Sequence, residues 1–104
     1  MPIVALVEFR IMPASIDDAR AIFEAMLAQT RRFDGADRID WLVDRDDPAA
    51  WTLYEEWRSA EAEQAYRAYR MNEGAVPELG PLLDGAPRLR RFDGATDGSG
   101  ASRT

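Results

Sequence analysis

The sequence predicts an α+β fold, a ferredoxin-like β-α-β-β-α-β chain with one four-stranded antiparallel sheet and both helices on one of its faces. Three observations carry this expectation. Strand-like stretches occur at Ile3–Ile11, Arg38–Arg45, Trp51–Arg58 and Pro87–Phe92, most of them with apolar residues recurring at the two-residue period of a pleated strand. Helically spaced apolar residues fill the intervals after Ser15 and after Ser59. A short connection built on the turn Asp46-Asp47-Pro48 separates the second strand from the third.

In Ile3–Ile11 every odd residue (Ile3, Ala5, Val7, Phe9, Ile11) is apolar, and the even face begins with Val4 and Leu6. A strand apolar on both faces belongs in the middle of a sheet. Pro13 ends it. Ser15-Ile-Asp-Asp18 has the shape of a capping box with Asp in place of Glu. Behind it Ala19, Ile22, Phe23, Met26, Leu27 and Thr30 form a stripe, with Arg20, Glu24 and Arg31 on the other side. Asp34-Gly35 is the expected stop. Arg38–Arg45 then puts Ile39, Trp41 and Val43 on one face, and Asp40, Leu42 and Asp44 on the other.

Trp51–Arg58 is rich in aromatic and β-branched residues, and Leu53 and Trp57 share one of its faces. It passes almost without a loop into a helix that Ser59 can cap. Ala62, Ala65, Tyr66 and Tyr69 fall at i, i+3, i+4 and i+7 on that helix. Arg67 and Arg70 sit one step off this face and are expected in solvent. Pro77–Leu83 is expected to make a short helical turn with Pro77 in its first turn, before Asp84-Gly85 leads into the last strand. Residues 1–93 thus form the domain, and the Gly- and Ser-rich residues 94–104 are expected to be a flexible tail.

At 104 residues, with 46% hydrophobic and 31% charged residues, the chain is one ordinary globular domain. A net charge of −6 argues against a nucleic-acid partner, which needs a clustered basic surface. Arg88, Arg90 and Arg91 are read as a solvated strand edge. The absence of cysteine excludes disulfides, zinc–thiolate sites, thiol nucleophiles and iron–sulfur clusters. The absence of histidine removes the commonest general base, metal ligand and haem ligand. No Gly-x-Gly-x-x-Gly turn is present, so neither flavin, haem nor metal is expected. Asp44, Asp46 and Asp47 lack the ligand spacing of a calcium loop and read as a turn. No stretch has transmembrane length and Met1–Ile11 lacks signal-peptide features, so a cytoplasmic protein without a membrane partner is expected.

The odd strand faces bring Trp41, Glu55 and Trp57 to the helix side, where Phe23, Met26, Tyr66 and Tyr69 would face them. Such an aromatic, largely apolar cleft suits a flat polycyclic ligand; the alternative is the packed core of a small domain. Glu55 is the odd residue there. Desolvation between tryptophans would raise its pKa and make it a base near neutrality, while an arginine partner or a place at the sheet's wet end, the favoured reading, would make it structural. Tyr66 and Tyr69 could hydrogen-bond an oxyanion or phenolate, or reach water from an amphipathic core. The even face carries Val4, Leu6, Leu42 and Tyr54 among Glu8, Arg10, Glu56 and Arg58. A half-apolar bare face of this kind predicts a two-fold homodimer.

Leu53-Tyr54-Glu55-Glu56-Trp57-Arg58-Ser59-Ala60-Glu61-Ala62 resembles the L-Y-E-x-W-x-s-x-e-A signature of the antibiotic biosynthesis monooxygenase domain, and the likeness extends over roughly residues 2–93. It implies a dimeric α/β barrel. The family includes cofactor-independent oxygenases of anthrones and quinols and haem-degrading enzymes. Haem chemistry is not implied here, because Phe9 stands where that branch has an asparagine and its ligating histidine has no counterpart. Many members carry a histidine where this chain has Tyr66. Trp57 matches a tryptophan of the anthrone-oxidising branch. Leu53 replaces its asparagine, and Tyr66 lies about one turn from its tyrosine. The face pattern and the resemblance together lead us to expect catalysis by Trp57 through stacking, by Tyr66 through a polar contact and by Glu55, with a small aromatic substrate held by Phe9, Phe23, Met26, Trp41, Leu53 and Tyr69 and no cofactor. The alternatives are a non-catalytic dimeric binding module, and an isomerase or cyclase with Glu55 as base.

Overall fold

A computed structural model describes residues 2–94. The elements are β1 (Ile3–Arg10), α1 (Ile16–Thr30), β2 (Ala36–Val43), β3 (Ala50–Trp57), α2 (Ala60–Met71) and β4 (Arg88–Asp93), with single 3₁₀ turns at Pro13–Ser15 and Gly80–Leu82. The strands form one antiparallel sheet in the order β2-β3-β1-β4. This is the predicted α+β, ferredoxin-like fold, with the most apolar strand in the interior of the sheet.

The inner face of the sheet and the two helices enclose the core, which includes Ala5, Val7, Phe9, Phe23, Leu27, Ile39, Trp51, Leu53, Trp57 and Tyr66. Cross-strand register decides which inner residues meet. One row runs Trp41, Leu53, Val7, Leu89, and the next runs Ile39, Glu55, Ala5, Arg91. Ala5 ends at its Cβ, so the second row is shallow between Glu55 and Arg91. Long polar side chains of α2 reach into that space.

Several local expectations are corrected. Ile11 is not in β1; it is fully buried and forms an isolated bridge with Leu83. Ser15 does not cap α1 with its side chain. Its N–H is already bonded to the Met12 carbonyl (2.8 Å) in the preceding 3₁₀ turn, and its ψ of 9° departs from the extended cap conformation. Asp17 and Asp18 still sit in the first turn, where the helix dipole favours them. Helix α1 ends at Thr30, before Asp34-Gly35. Gly35 serves the entry to β2 instead: its φ is +92°, and a Cβ there would come within 2.5 Å of Ala62 Cβ on α2. Strand β2 stops at Val43 because Asp44 turns the chain, its Oδ1 accepting the N–H groups of Asp46 (2.8 Å) and Asp47 (3.0 Å).

On α2 the Ser59 cap forms as predicted, its hydroxyl accepting from the Ala62 N–H at 3.1 Å. The expected buried stripe does not hold throughout. Ala65 is exposed, while Glu63 and Tyr66 are buried and Arg67 and Arg70 are half-buried. Nor are the two arginines solvated, because carboxylates, hydroxyls and carbonyls meet them inside the fold.

Among the described residues no element covers the outer face of the sheet, where Val4, Leu6 and Tyr54 are half-buried and Leu42 and Phe92 are 49% and 36% exposed. The tail expected at 94–104 lies, beyond Gly94, outside the described residues. Among the described residues no helix is long and apolar enough to cross a membrane. No group of three or more His, Cys, Asp or Glu side chains among them is placed to hold a metal ion.

Candidate functional site

A cleft of about 380 Å³ opens over the inner face of the sheet, within the size range of small-molecule sites. Val7, Phe9, Leu53 and Leu89 form its floor. Met26 of α1 and Val76 and Leu79 of the segment after α2 form walls, and Glu55, Tyr66, Arg67 and Arg70 are its polar groups. A second hollow of about 280 Å³, lined by Ile22, Gln29, Tyr69 and Gly74 among others, shares Met26 and Val76 with it.

Glu55 is 1% exposed on β3. Two residues along the same strand face, Trp57 donates its indole N–H to Glu55 Oε1 at 3.0 Å, and Arg67 Nη2 donates to the same oxygen at 2.6 Å. Of the two sequence alternatives, the structure therefore has the arginine pairing. The pairing extends further. Arg67 Nε reaches Glu63 Oε2 at 2.7 Å, one helical turn away, and Arg91 Nε of β4 reaches Glu63 Oε1 at 2.9 Å. Burial lowers the pKa of Arg67, but the charges and hydrogen bonds of Glu55 and Glu63 outweigh it and the net shift is upward. Two carboxylates and two guanidiniums thus close a neutral network. Glu55 Oε2 stands apart, since among the described residues no group donates to it. A carboxylate with one oxygen clamped and the other beside a cleft can accept a proton from a bound molecule.

Tyr66 sits in a different network. Its hydroxyl lies 2.8 Å from Thr30 Oγ1 and accepts from Arg70 Nε at 2.8 Å. Thr30 gives its only hydroxyl proton to the Met26 carbonyl at 3.0 Å, so the Tyr66 proton points to Thr30. The remaining N–H groups of Arg70 go to Gln29 Oε1 (3.2 Å), the Gly74 carbonyl (2.9 Å), the Met26 carbonyl (3.0 Å) and Thr30 Oγ1 (3.0 Å). Gly74 is required for this closure: a Cβ there would lie 2.1 Å from the Tyr69 ring.

Of the residues singled out in the sequence, Glu55, Tyr66, Phe9, Met26 and Leu53 come together in the cleft. Trp57 is fully buried behind it, its ring 4.8 Å from that of Tyr66, and touches the site through Glu55. Phe23 and Trp41 belong to an aromatic cluster with Phe9 and Trp51; the Trp41 indole N–H there is buried without a partner among the described residues. Tyr69 lines the second hollow. Sequence reasoning did not single out Val7, Val76, Leu79 and Leu89, or the site roles of Arg67 and Arg70. A signal existed for the arginines: Glu63, Tyr66, Arg67 and Arg70 fit the i, i+3, i+4, i+7 template as well as the apolar set does.

Comparison with known proteins agrees with this architecture. No curated protein sequence matches the chain. Among solved structures, an antibiotic biosynthesis monooxygenase superposes with a TM-score of 0.80 at 21% identity, covering 88% of this chain and 97% of the other. A Mycobacterium tuberculosis protein does so with 0.79 at 23% identity, covering 90% and 95%. SnoaB, a cofactor-independent oxygenase from Streptomyces nogalater studied as a variant, gives 0.76 at 17% identity, covering 89% and 92%. At such identities the likeness shows the fold. The family assignment comes from the sequence itself, which matches the antibiotic biosynthesis monooxygenase profile over residues 2–75. The chain belongs to the antibiotic biosynthesis monooxygenase family.

Proposed function

We propose that the protein is a cofactor-independent monooxygenase acting on a small aromatic ketone or phenol in the cleft. The observation that carries this reading is Glu55, a buried carboxylate with one oxygen clamped and the other free beside an apolar cleft. Family membership supports it. Glu55 takes a proton from an activated C–H of the substrate. The resulting carbanion reduces dioxygen and forms a C–O bond; the peroxide anion takes the proton back from Glu55, and the hydroperoxide loses water together with the remaining hydrogen of that carbon to leave a carbonyl. One dioxygen is consumed and one water released per turnover. Trp57 and Arg67 act as positioning residues by holding Glu55 Oε1.

The test is oxygen uptake with a panel of anthrones and naphthols. Glu55→Gln preserves shape and should reduce turnover by about a hundredfold or more. Undiminished turnover in that variant removes Glu55 from the mechanism. One observation favours a second reading, a non-catalytic binding module: Trp57 is sealed from the cleft and the Tyr66 proton is engaged by Thr30, so two of three catalytic candidates offer a ligand no free donor. Tight binding of aromatics with no oxygen uptake on any of them would select that reading. In both, we take the working form to be a homodimer in which a second copy covers the outer sheet face.

A further inference from the structure

The charges around the cleft do not cancel. Glu55, Glu63, Arg67 and Arg91 balance one another within their own network. Arg70, also a lining residue, forms no ion pair among the described residues. Its five donors meet a phenol, an amide side chain, two carbonyls and a hydroxyl, all of them neutral. The side chain is thereby held half-buried against the Tyr66 and Tyr69 rings, with no carboxylate in ion-pair contact among the described residues; Glu73 and Glu78 line the neighbouring hollow rather than the cleft. A guanidinium does not shed its proton, and a cation at a low-dielectric wall raises the local affinity for anions. The effect is local, because the chain as a whole carries −6.

We propose that the cleft selects anionic aromatic ligands, with a carboxylate or phenolate oxygen drawn by the unpaired charge of Arg70. The proposal rests on the cleft being the ligand site and adds the charge of the ligand. Because every N–H of Arg70 is already engaged, it acts on the ligand chiefly through charge. Arg70 is therefore a specificity determinant rather than a shaped hydrogen-bonding socket. The same field favours the carbanion that Glu55 would generate.

Gln29 allows the charge to be cancelled from outside the cleft. It is exposed on α1, it lines only the neighbouring hollow, and its Oε1 already meets Arg70 Nη1 at 3.2 Å. Gln29→Glu supplies the missing carboxylate with almost no change in shape. The measurement is calorimetric titration with 2-naphthoate and the neutral 2-naphthamide at pH 7 and at two salt concentrations. The wild type should bind naphthoate about tenfold more tightly, the scale of one charge a few ångströms away in a half-buried site, and salt should weaken that preference. In Gln29→Glu the preference should vanish while naphthamide binds as before. Arg70→Lys, which keeps the charge, should retain the preference. Equal affinity of the wild type for both ligands overturns the inference and leaves the aromatic cleft standing. A preference that survives in Gln29→Glu overturns the assignment to Arg70. Failure of both ligands to bind refutes the cleft as an aromatic site and the inference with it.

Discussion

Tyr66 shows how a side chain can lie in a cleft and still be fully occupied elsewhere. Its hydroxyl joins Thr30 on α1 to Arg70 on α2, and its ring is packed between those of Trp57 and Phe33. Tyr66→Phe would leave the Arg70 Nε donor and the Thr30 oxygen each short of a buried partner. The expected loss is about 1–3 kcal/mol of stability, larger than for a tyrosine whose hydroxyl meets water. Urea unfolding measures it. Because the same network is broken in either variant, Thr30→Val and Tyr66→Phe should be clearly sub-additive when combined. Additive effects would show that the two hydroxyls do not act as a unit.

At the level of elements, the strands and helices were legible in the sequence because their apolar periods are strong and their breaks carry Pro, Gly, Asp or Ser. What was not legible were features depending on distant contacts. Ser59 and Ser15 look equivalent in sequence, each preceding an acidic, helix-forming stretch. Ser59 has an extended backbone (φ −156°, ψ 165°) and caps α2, whereas Ser15 continues a 3₁₀ turn and caps nothing. Ser59→Ala should therefore cost about 1 kcal/mol, and Ser15→Ala close to nothing. Thermal unfolding of the two variants distinguishes them, and equal losses would contradict the cap geometry. The site was half legible for a similar reason. Glu55 stood out as a carboxylate on an apolar strand face. The inward turn of Arg67 and Arg70 depended on Glu55, Thr30 and the Gly74 carbonyl, which lie far apart in sequence or carry no sequence signal. Trp57 was expected to act in the cleft because local spacing gives a side chain's face but not the depth at which its neighbours bury it.

For the whole molecule, the outer sheet face is the feature that a single chain leaves unresolved. Leu42, Phe92, Leu6 and Val4 line it with Tyr54, whose pKa is raised by burial first and then by the hydrogen bond and charge of Glu56. A two-fold copy would bury that face in one self-complementary contact. Sedimentation at micromolar concentration should report about twice the chain mass by this argument, and Leu6→Arg should lower it to a monomer. A wild-type monomer would refute the pairing.

The strand order has a further consequence, for how the chain acquires its structure during synthesis. Of the described elements β1 leaves the ribosome earliest, yet its partners are β3 and β4, the latter the last of them to be made. Until β3 arrives, Ile-Val-Ala-Leu-Val has two open edges and no charged residue to discourage association. Its pairings also span most of the chain, which slows folding by the entropy of closing long loops. The residues that make β1 a good interior strand thus make the nascent chain depend on rapid completion, with the β2–β3 hairpin the first complete piece of sheet that β1 can join.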